Sequence, residues 1–322
     1  MKRRGKPSFR YIDLFSGIGG LRIPFDELGG MCVFSAEIDK DARRTYLNNF
    51  GDIGHIFAED IREIEPRDIP DFDLLLAGFP CQPFSHAGLK RGFNDTRGTL
   101  FFEIASILRF HRPKAFLLEN VRGLVSHNEG KTFERILEVL SENYDVQYGI
   151  LNAKNFGLPQ SRARIYIVGF LKTQKVKADI FSNIETNEKT YVGQILERRV
   201  PSRYTISDRL WAGHQNRLAR HRAKGNGFGY RMYSRKDTHT STISARYYKD
   251  GSEILISQPG RNPRKLTPRE AASLQGFPSW FKVSSSEVQA YKQFGNAVPV
   301  AVVRSIAARM SKHIQRNSTK RP

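Results

Sequence analysis

Between residues 9 and 171, short apolar runs alternate with stretches of helical periodicity, and this alternation limits the chain to few architectures. "FRYIDLF" leads into the glycine turn "SGIGG" and a short helix that stops at Gly29-Gly30. "MCVFSAEI" is a second strand, and Asp39 is placed to N-cap the helix "KDARRTYLNNF". "FDLLLAGF", "AFLLENV", "VQYGILNA" and "RIYIVGFL" read as further strands. "GTLFFEIASILRFH" and "KTFERILEVLSENY" lie between them with apolar residues on a helical period. Such repetition predicts an α/β fold with a doubly wound, mostly parallel sheet and helices on both faces. Sheets of this kind bind ligands at the carboxyl ends of their strands.

The residues at those strand ends carry chemistry. Gly17, Gly19 and Gly20 follow the first strand, where missing side chains let backbone amides approach a ligand. Their spacing is not GxGxxG, which disfavours a dinucleotide site. Glu37 ends the second strand, where an acid can accept both hydroxyls of a ribose. Asp60 and Ile61 follow a short intervening strand and could hold an adenine amine against an apolar wall. Together the three elements suggest an adenosine-containing cofactor. Taken singly, each acid also reads as a solvated loop carboxylate. Cys81 follows "FDLLLAGF", with Pro80 fixing the turn; a thiol presented there suits a nucleophile, although lone cysteines commonly fill cores. The segment from Gln82 to Gly98 is long, basic and glycine-rich, as lids are. Glu119 and Asn120 end the next strand, and three preceding apolar residues predict a partly desolvated acid. Arg162 and Arg164 alternate at a strand entrance, so both face one side and could converge on an anion or a base, or line a solvated edge.

Charge identifies the partner class. Lys and Arg number 52 against 32 Asp and Glu, a net +20. Residues 198–236 hold 11 Lys or Arg against the single acid Asp208, half of the whole excess. A polyanion, nucleic acid above all, is the expected partner. No apolar stretch is long enough to span a membrane, the basic start is not followed by a signal-peptide core, and two cysteines do not make a disulfide framework. A cytoplasmic, globular protein without a metal site is expected. The regions divide as 1–175, an α/β domain; 176–285, a smaller irregular domain with weak periods; and 286–322, a helical segment packing back on the first domain. Thr267 should N-cap a short helix with Pro268 at its first position.

"DLFSGIGG", "GFPCQPFS", "ENV", "QSRARIYIVGF" and "QFGNAVPV", in this order, closely resemble the motif series of the bacterial DNA (cytosine-5)-methyltransferases, in a short form of the restriction–modification type. The resemblance runs from about residue 9 to 310 and thins in the basic segment. It implies a Rossmann-like fold dependent on S-adenosylmethionine (AdoMet), and base flipping of cytosine out of duplex DNA. It implies that Cys81 adds to carbon 6, that Glu119 holds ring nitrogen 3 and the exocyclic amine, and that Arg164, supported by Arg162, binds the carbonyl oxygen or a phosphate. Asn120 would position the Cys81 loop. Phe15, Gly17, Gly19, Gly20, Glu37, Ile38, Asp60, Ile61, Pro80 and Asn296 would form the cofactor pocket. Relatives often place an aromatic where this chain has Ile38, so stacking on adenine should be weaker. Gln82, Ser85 and Arg97 would close on DNA. The small domain would be the target-recognition domain, with Thr242 and Ile243 near the bases and Arg231, Arg235, Arg246, Tyr247 and Tyr248 as base or phosphate contacts. A cognate endonuclease would be the functional partner, and the protein would act as a monomer on double-stranded DNA.

Rival readings fit less well. The tRNA-methylating branch of the same fold carries a Cys-Phe-Thr motif, and no cysteine follows Cys81 here. Amino-methyltransferases use an Asp-Pro-Pro-Tyr-like motif, which is absent. A non-catalytic DNA binder would be expected to lose Cys81, Glu119 or the glycine turn.

Overall fold

A computed structural model describes residues 7–52, 54–80, 100–186, 188–227 and 229–315. The chain divides into two compact units: Met1–Leu151, Ala163–Ile184 and Val302–Pro322 in one, Asn152–Arg162 and Glu185–Ala301 in the other.

The first unit is built on strands β1 (Phe9–Leu14), β2 (Gly30–Ala36), β3 (Ile56–Ala58), β4 (Leu74–Gly78), β5 (Ala115–Val121), β6 (Tyr144–Asn152) and β7 (Ala163–Leu171), in the order β3-β2-β1-β4-β5-β7-β6. β1 pairs in parallel with β2 and β4, and β5 in parallel with β4; β7 runs antiparallel to β5. The chain moves outward from β1 to β2 and β3, then returns to β4 on the other side of β1. The two directions of winding put a switch point between β1 and β4, and right-handed crossovers then place helices on opposite faces. This is the doubly wound sheet that the strand–helix alternation predicts. The inner strands are apolar on both sides: Leu74, Leu75, Leu76 and Ala77 are each 0% exposed. That continuous burial is why these runs show no alternation in sequence.

Helices α1 (Arg22–Glu27), α2 (Lys40–Phe50), α3 (Leu100–His111) and α4 (Lys131–Ser141) fill the crossovers. Asp39 caps α2, accepting from the backbone N–H groups of Asp41 and Ala42. In α4, Thr132, Phe133, Ile136, Val139 and Leu140 form the buried stripe. Phe101, Ile104, Phe133 and Ile136 pack with Phe116, Leu118, Ile165 and Ile167 of the sheet in one core. Each such side chain contributes about 1.5–3 kcal/mol.

In the second unit the basic segment has more order than its weak periods suggest. It contains helix α5 (Asp208–Ala223) and a three-stranded sheet, β8 (Met232–Tyr233), β9 (Leu255–Gln258) and β10 (Arg261–Arg264), in the order β10-β9-β8. Only His214 of α5 is fully buried, so the helix has almost no apolar stripe to read. Helix α6 (Pro268–Leu274) begins at the expected Thr267 cap, completed by Glu270 in a reciprocal capping box. The expected long C-terminal helix is two: α7 (Glu287–Asn296) and α8 (Val300–Ile314). Pro299, which has no N–H to give, precedes the second. α7 lies in the second unit, and from Val302 onward α8 belongs to the first.

Gly19 tests the glycine turn. Its φ is +85°, and a Cβ there would lie 2.3 Å from the Phe50 ring. Gly19→Ala should destabilise the protein by about 2 kcal/mol or more, read as a lower denaturant midpoint. An unchanged midpoint would show that the turn tolerates a side chain.

Candidate active site

At the carboxyl end of β1, the backbone reverses through three left-handed residues, Phe15, Gly17 and Gly19. Phe15 is the costly one, since a non-glycine residue in this region is strained by about 1–2 kcal/mol. The reversal turns the Gly17 N–H onto Glu37 Oε2 at 2.9 Å, while Glu37 Oε1 accepts from the Asp39 N–H at 2.8 Å. Burial pushes the Glu37 carboxyl above the usual range, and these two N–H groups act against that. A Cβ on Gly17 would meet nothing within 4 Å, so open space adjoins the turn. Ser16 Oγ is buried there without a hydrogen-bond partner among the described residues. An open cradle, an oriented carboxylate and a spare hydroxyl fit an adenosine-bearing group.

The remaining residues expected in this pocket differ in availability. Gly20 is buried in the turn and Pro80 is exposed after β4. Ile38 is 66% exposed. Ile61, 3% exposed, is a core residue, and the Asp60 carboxylate is engaged by the Arg62 guanidinium and N–H, which holds it below the usual carboxylate range. Asn296 is exposed at the end of α7, in the second unit.

The edge of β4, β5 and β7 carries the other expected cluster. Gly78 is paired in register with Glu119, and Glu119 in turn with Tyr166. Glu119 is 8% exposed, as its apolar run predicts, and its Oε1 lies 3.2 Å from Arg164 Nε. Asn120, 2% exposed, donates from Nδ2 to the Phe79 carbonyl at 2.8 Å and accepts from the Val121 N–H. It therefore fixes the backbone two residues before Cys81. Cys81, Gln82, Ser85 and Arg97 lie outside the described residues.

The two arginines have different partners. Arg162 precedes β7, is 1% exposed, and donates to the carbonyls of Ile243, Gly295 and Ala297. Gln160, also fully buried, accepts from the Ile243 N–H and donates to the Leu274 carbonyl and Gln275 Oε1. Gln275 extends the network to the Phe294 carbonyl. A Cβ on Gly295 would lie 2.3 Å from the backbone of Ser244 and Ala245, so α7 ends directly against the Thr242–Ala245 loop. The sequence reading missed Gln160, Gln275 and Gly295 as functional supports. Two glutamines and a glycine within apolar segments were the available signal.

This network changes the reading of the recognition loop. The Thr242 hydroxyl donates to the Ser161 carbonyl, and Ile243 is 0% exposed, so the pair anchors the loop. Tyr247 is not available as a DNA contact. It is 0% exposed, and its hydroxyl donates to the Ile254 carbonyl and accepts from the Leu266 N–H. Three of the other candidates, Arg231, Arg235 and Arg246, are exposed, and Arg235 also donates to the Gly193 carbonyl. Tyr247→Phe should lower stability by about 1–3 kcal/mol and leave DNA affinity within about two-fold. A large loss of affinity at unchanged stability would return Tyr247 to the DNA interface.

Among the described residues no group of His, Cys, Asp and Glu is arranged to hold a metal ion, and no helix is long and apolar enough to cross a membrane. The model of the C-5 cytosine-specific DNA methylase family matches residues 9–312. The chain is 54% identical to the Type II methyltransferase M.DsaV of Dactylococcopsis salina over 312 residues, covering 96% of this chain and 88% of that protein. It is 54% identical to the Type II methyltransferase M.NlaX of Neisseria lactamica over 305 residues, covering 94% and 96%. Among solved structures, the Dnmt2 methyltransferase of S. pombe shares the fold, with a TM-score of 0.75 at 22% identity over 94% of this chain and 99% of that one. The glycine turn, the buried glutamate and the paired arginine thus stand on a chain that belongs to the C-5 cytosine-specific DNA methylase family.

Proposed function

We propose that this chain methylates carbon 5 of a cytosine within a short sequence of double-stranded DNA, as the modification enzyme of a restriction system. The observation that carries the chemistry is the buried Glu119–Arg164 pair, with Glu119 on the strand beside the one that leads to Cys81 and Arg164 on the next strand. Carbon 5 of cytosine is a poor nucleophile. Addition of the Cys81 thiolate to carbon 6 makes the ring enamine-like and directs electron density to carbon 5. Bound AdoMet supplies an electrophilic methyl group. Glu119, once protonated, would donate to ring nitrogen 3 as charge develops there and accept from the exocyclic amine, and Arg164 would hold the carbonyl oxygen. With the methyl group on carbon 5 and S-adenosylhomocysteine as the leaving group, transfer of the carbon 5 proton to solvent and breaking of the carbon 6–sulfur bond would restore the aromatic ring and the Cys81 thiolate. The Asn120 bond to Phe79 keeps the approach to Cys81 in one conformation.

The cofactor reading assigns the ribose hydroxyls to Glu37, whose orientation the Gly17 and Asp39 amides fix. Phe15, Gly17, Gly19 and Gly20 would form the turn beside it, with Ile38, Asp60 and Ile61 at the adenine end and Pro80 at the remaining margin. Arg231, Arg235 and Arg246 are the DNA contacts retained from the sequence, with Gln82, Ser85 and Arg97 contributed by the segment after Cys81. The protein would work as a monomer in the cytoplasm, beside a cognate endonuclease that need not bind it.

Bisulfite sequencing of DNA from cells expressing the protein tests this reading. Protected cytosines should fall within one short motif and vanish with Cys81→Ser, which should lower methyl transfer by about three orders of magnitude while AdoMet binding survives. Substantial turnover by Cys81→Ser would remove the nucleophile assignment. DNA affinity should fall by at least about ten-fold between about 50 and about 200 mM salt. A flat response would argue against the basic segment as the DNA-binding surface.

A further inference from the structure

We infer that Arg43, a residue outside the motifs, is a positioning residue for the adenosine end of AdoMet, tying the loop after β2 to the loop after β3. This inference rests on the assignment of Glu37, Asp60 and Ile61 to the cofactor. Arg43 lies early in α2, and its side chain is 15% exposed. Nη1 donates to two consecutive carbonyls, those of Glu37 at 2.9 Å and Ile38 at 3.0 Å. Nη2 lies 2.8 Å from Glu59 Oε1. One guanidinium therefore grips the residues on both sides of the peptide that follows the ribose acid, and reaches the residue before Asp60. The backbone adds one bond between the same loops, from the Glu37 N–H to the Ala58 carbonyl.

The carbonyl bonds matter more than the ion pair. Glu59 is 75% exposed, and an ion pair with such a partner contributes little. A charged donor shielded from water and shared by two carbonyls is a stronger constraint. It is also needed at this point. Ile38 is 66% exposed, so packing does little to hold its backbone, and Asp39 must keep its N–H on Glu37 Oε1. A turn of the 37–38 or 38–39 peptide would move the Glu37 carboxylate off its two amides. A relative with an aromatic at position 38 can hold adenine by stacking. With isoleucine there, affinity depends more on a loop already held in its binding conformation. Arg43 supplies that rigidity at a distance from the Cys81 chemistry.

The test is calorimetric titration of the full chain with S-adenosylhomocysteine, without DNA, beside steady-state kinetics with DNA. Arg43→Ala should weaken binding by about ten-fold and raise the KM for AdoMet by a similar factor, with kcat within about two-fold of wild type. Arg43→Lys, with one donor group for two carbonyls, should recover part of the loss. Glu59→Gln should bind within about two-fold of wild type. Wild-type affinity in Arg43→Ala, or a fall in kcat at unchanged KM, would overturn the inference. A loss in Glu59→Gln as large as in Arg43→Ala would overturn the primacy of the carbonyl bonds. Glu37→Ala separates this from the broader reading: wild-type affinity there removes the cofactor assignment itself, whereas lost affinity there with wild-type affinity in Arg43→Ala removes only the role of Arg43. Should Arg43→Ala fail to fold, Arg43→Gln, which keeps an N–H donor without the charge, carries the same expectation of a raised KM at unchanged kcat.

Discussion

The geometry of the loops at one end of the first unit's sheet depends on one carboxylate. Glu37 accepts from Gly17 in the first loop and from Asp39 in the second, and its own N–H reaches Ala58 at the end of the third strand. Three strand ends are thereby registered against one residue, through its carboxylate and its own N–H. The arrangement needs a left-handed Gly17, which in turn needs the reversal begun at Phe15. Beneath the turn, the Arg22 guanidinium is held by Asp26 and the Tyr46 hydroxyl and stacks over Phe50, the ring that Gly19 touches. A buried cation with satisfied partners thus supports the strained loop from inside, as buried charge requires.

The second unit solves a similar problem with one buried guanidinium and two buried amides. Its loops carry little apolar surface, and a loop that presents exposed arginines cannot be fixed by a core of its own. Arg162, Gln160 and Gln275 supply the fixing by taking up backbone carbonyls and an N–H from residues 243, 274, 294, 295 and 297. The network anchors Ile243, three residues before Arg246, through both its carbonyl and its N–H, while Arg231 and Arg246 remain exposed.

Much of this was legible in the sequence, for identifiable reasons. The parallel strands are apolar on both faces, so "DLLLAG" and "AFLLEN" stand out, and burial of Glu119 follows from the three residues before it. Asp39 and Thr267 cap helices through local chemistry that needs no tertiary information. Helix α5 was illegible because His214 is its one fully buried residue. Tyr247 looked like a surface aromatic among arginines, and only the path of the chain to Ile254 and Leu266 shows that its hydroxyl is used internally. Arg162 and Arg164 are two residues apart, yet one is taken up by carbonyls distant in sequence and the other by Glu119. Spacing cannot report on partners that are remote along the chain.

The Glu119–Arg164 pair also bears on which base the proposed site would accept. Both side chains are nearly buried, and each neutralises the other at rest. A flipped base that separates them must offer a donor to the carboxylate and an acceptor to the guanidinium, because an unpaired buried charge costs several kcal/mol, by order of magnitude. Cytosine does this with its exocyclic amine and its carbonyl. Thymine turns a carbonyl where cytosine has the amine and an N–H where cytosine has the ring-nitrogen acceptor, so a carboxyl group that donates to ring nitrogen 3 and accepts from the amine would meet the reverse pattern. In the proposed site, discrimination between the two pyrimidines would follow from exchanging one satisfied arrangement for another. The cost of opening the ion pair would be recovered better by cytosine than by thymine, through the same two side chains proposed to stabilise the adduct.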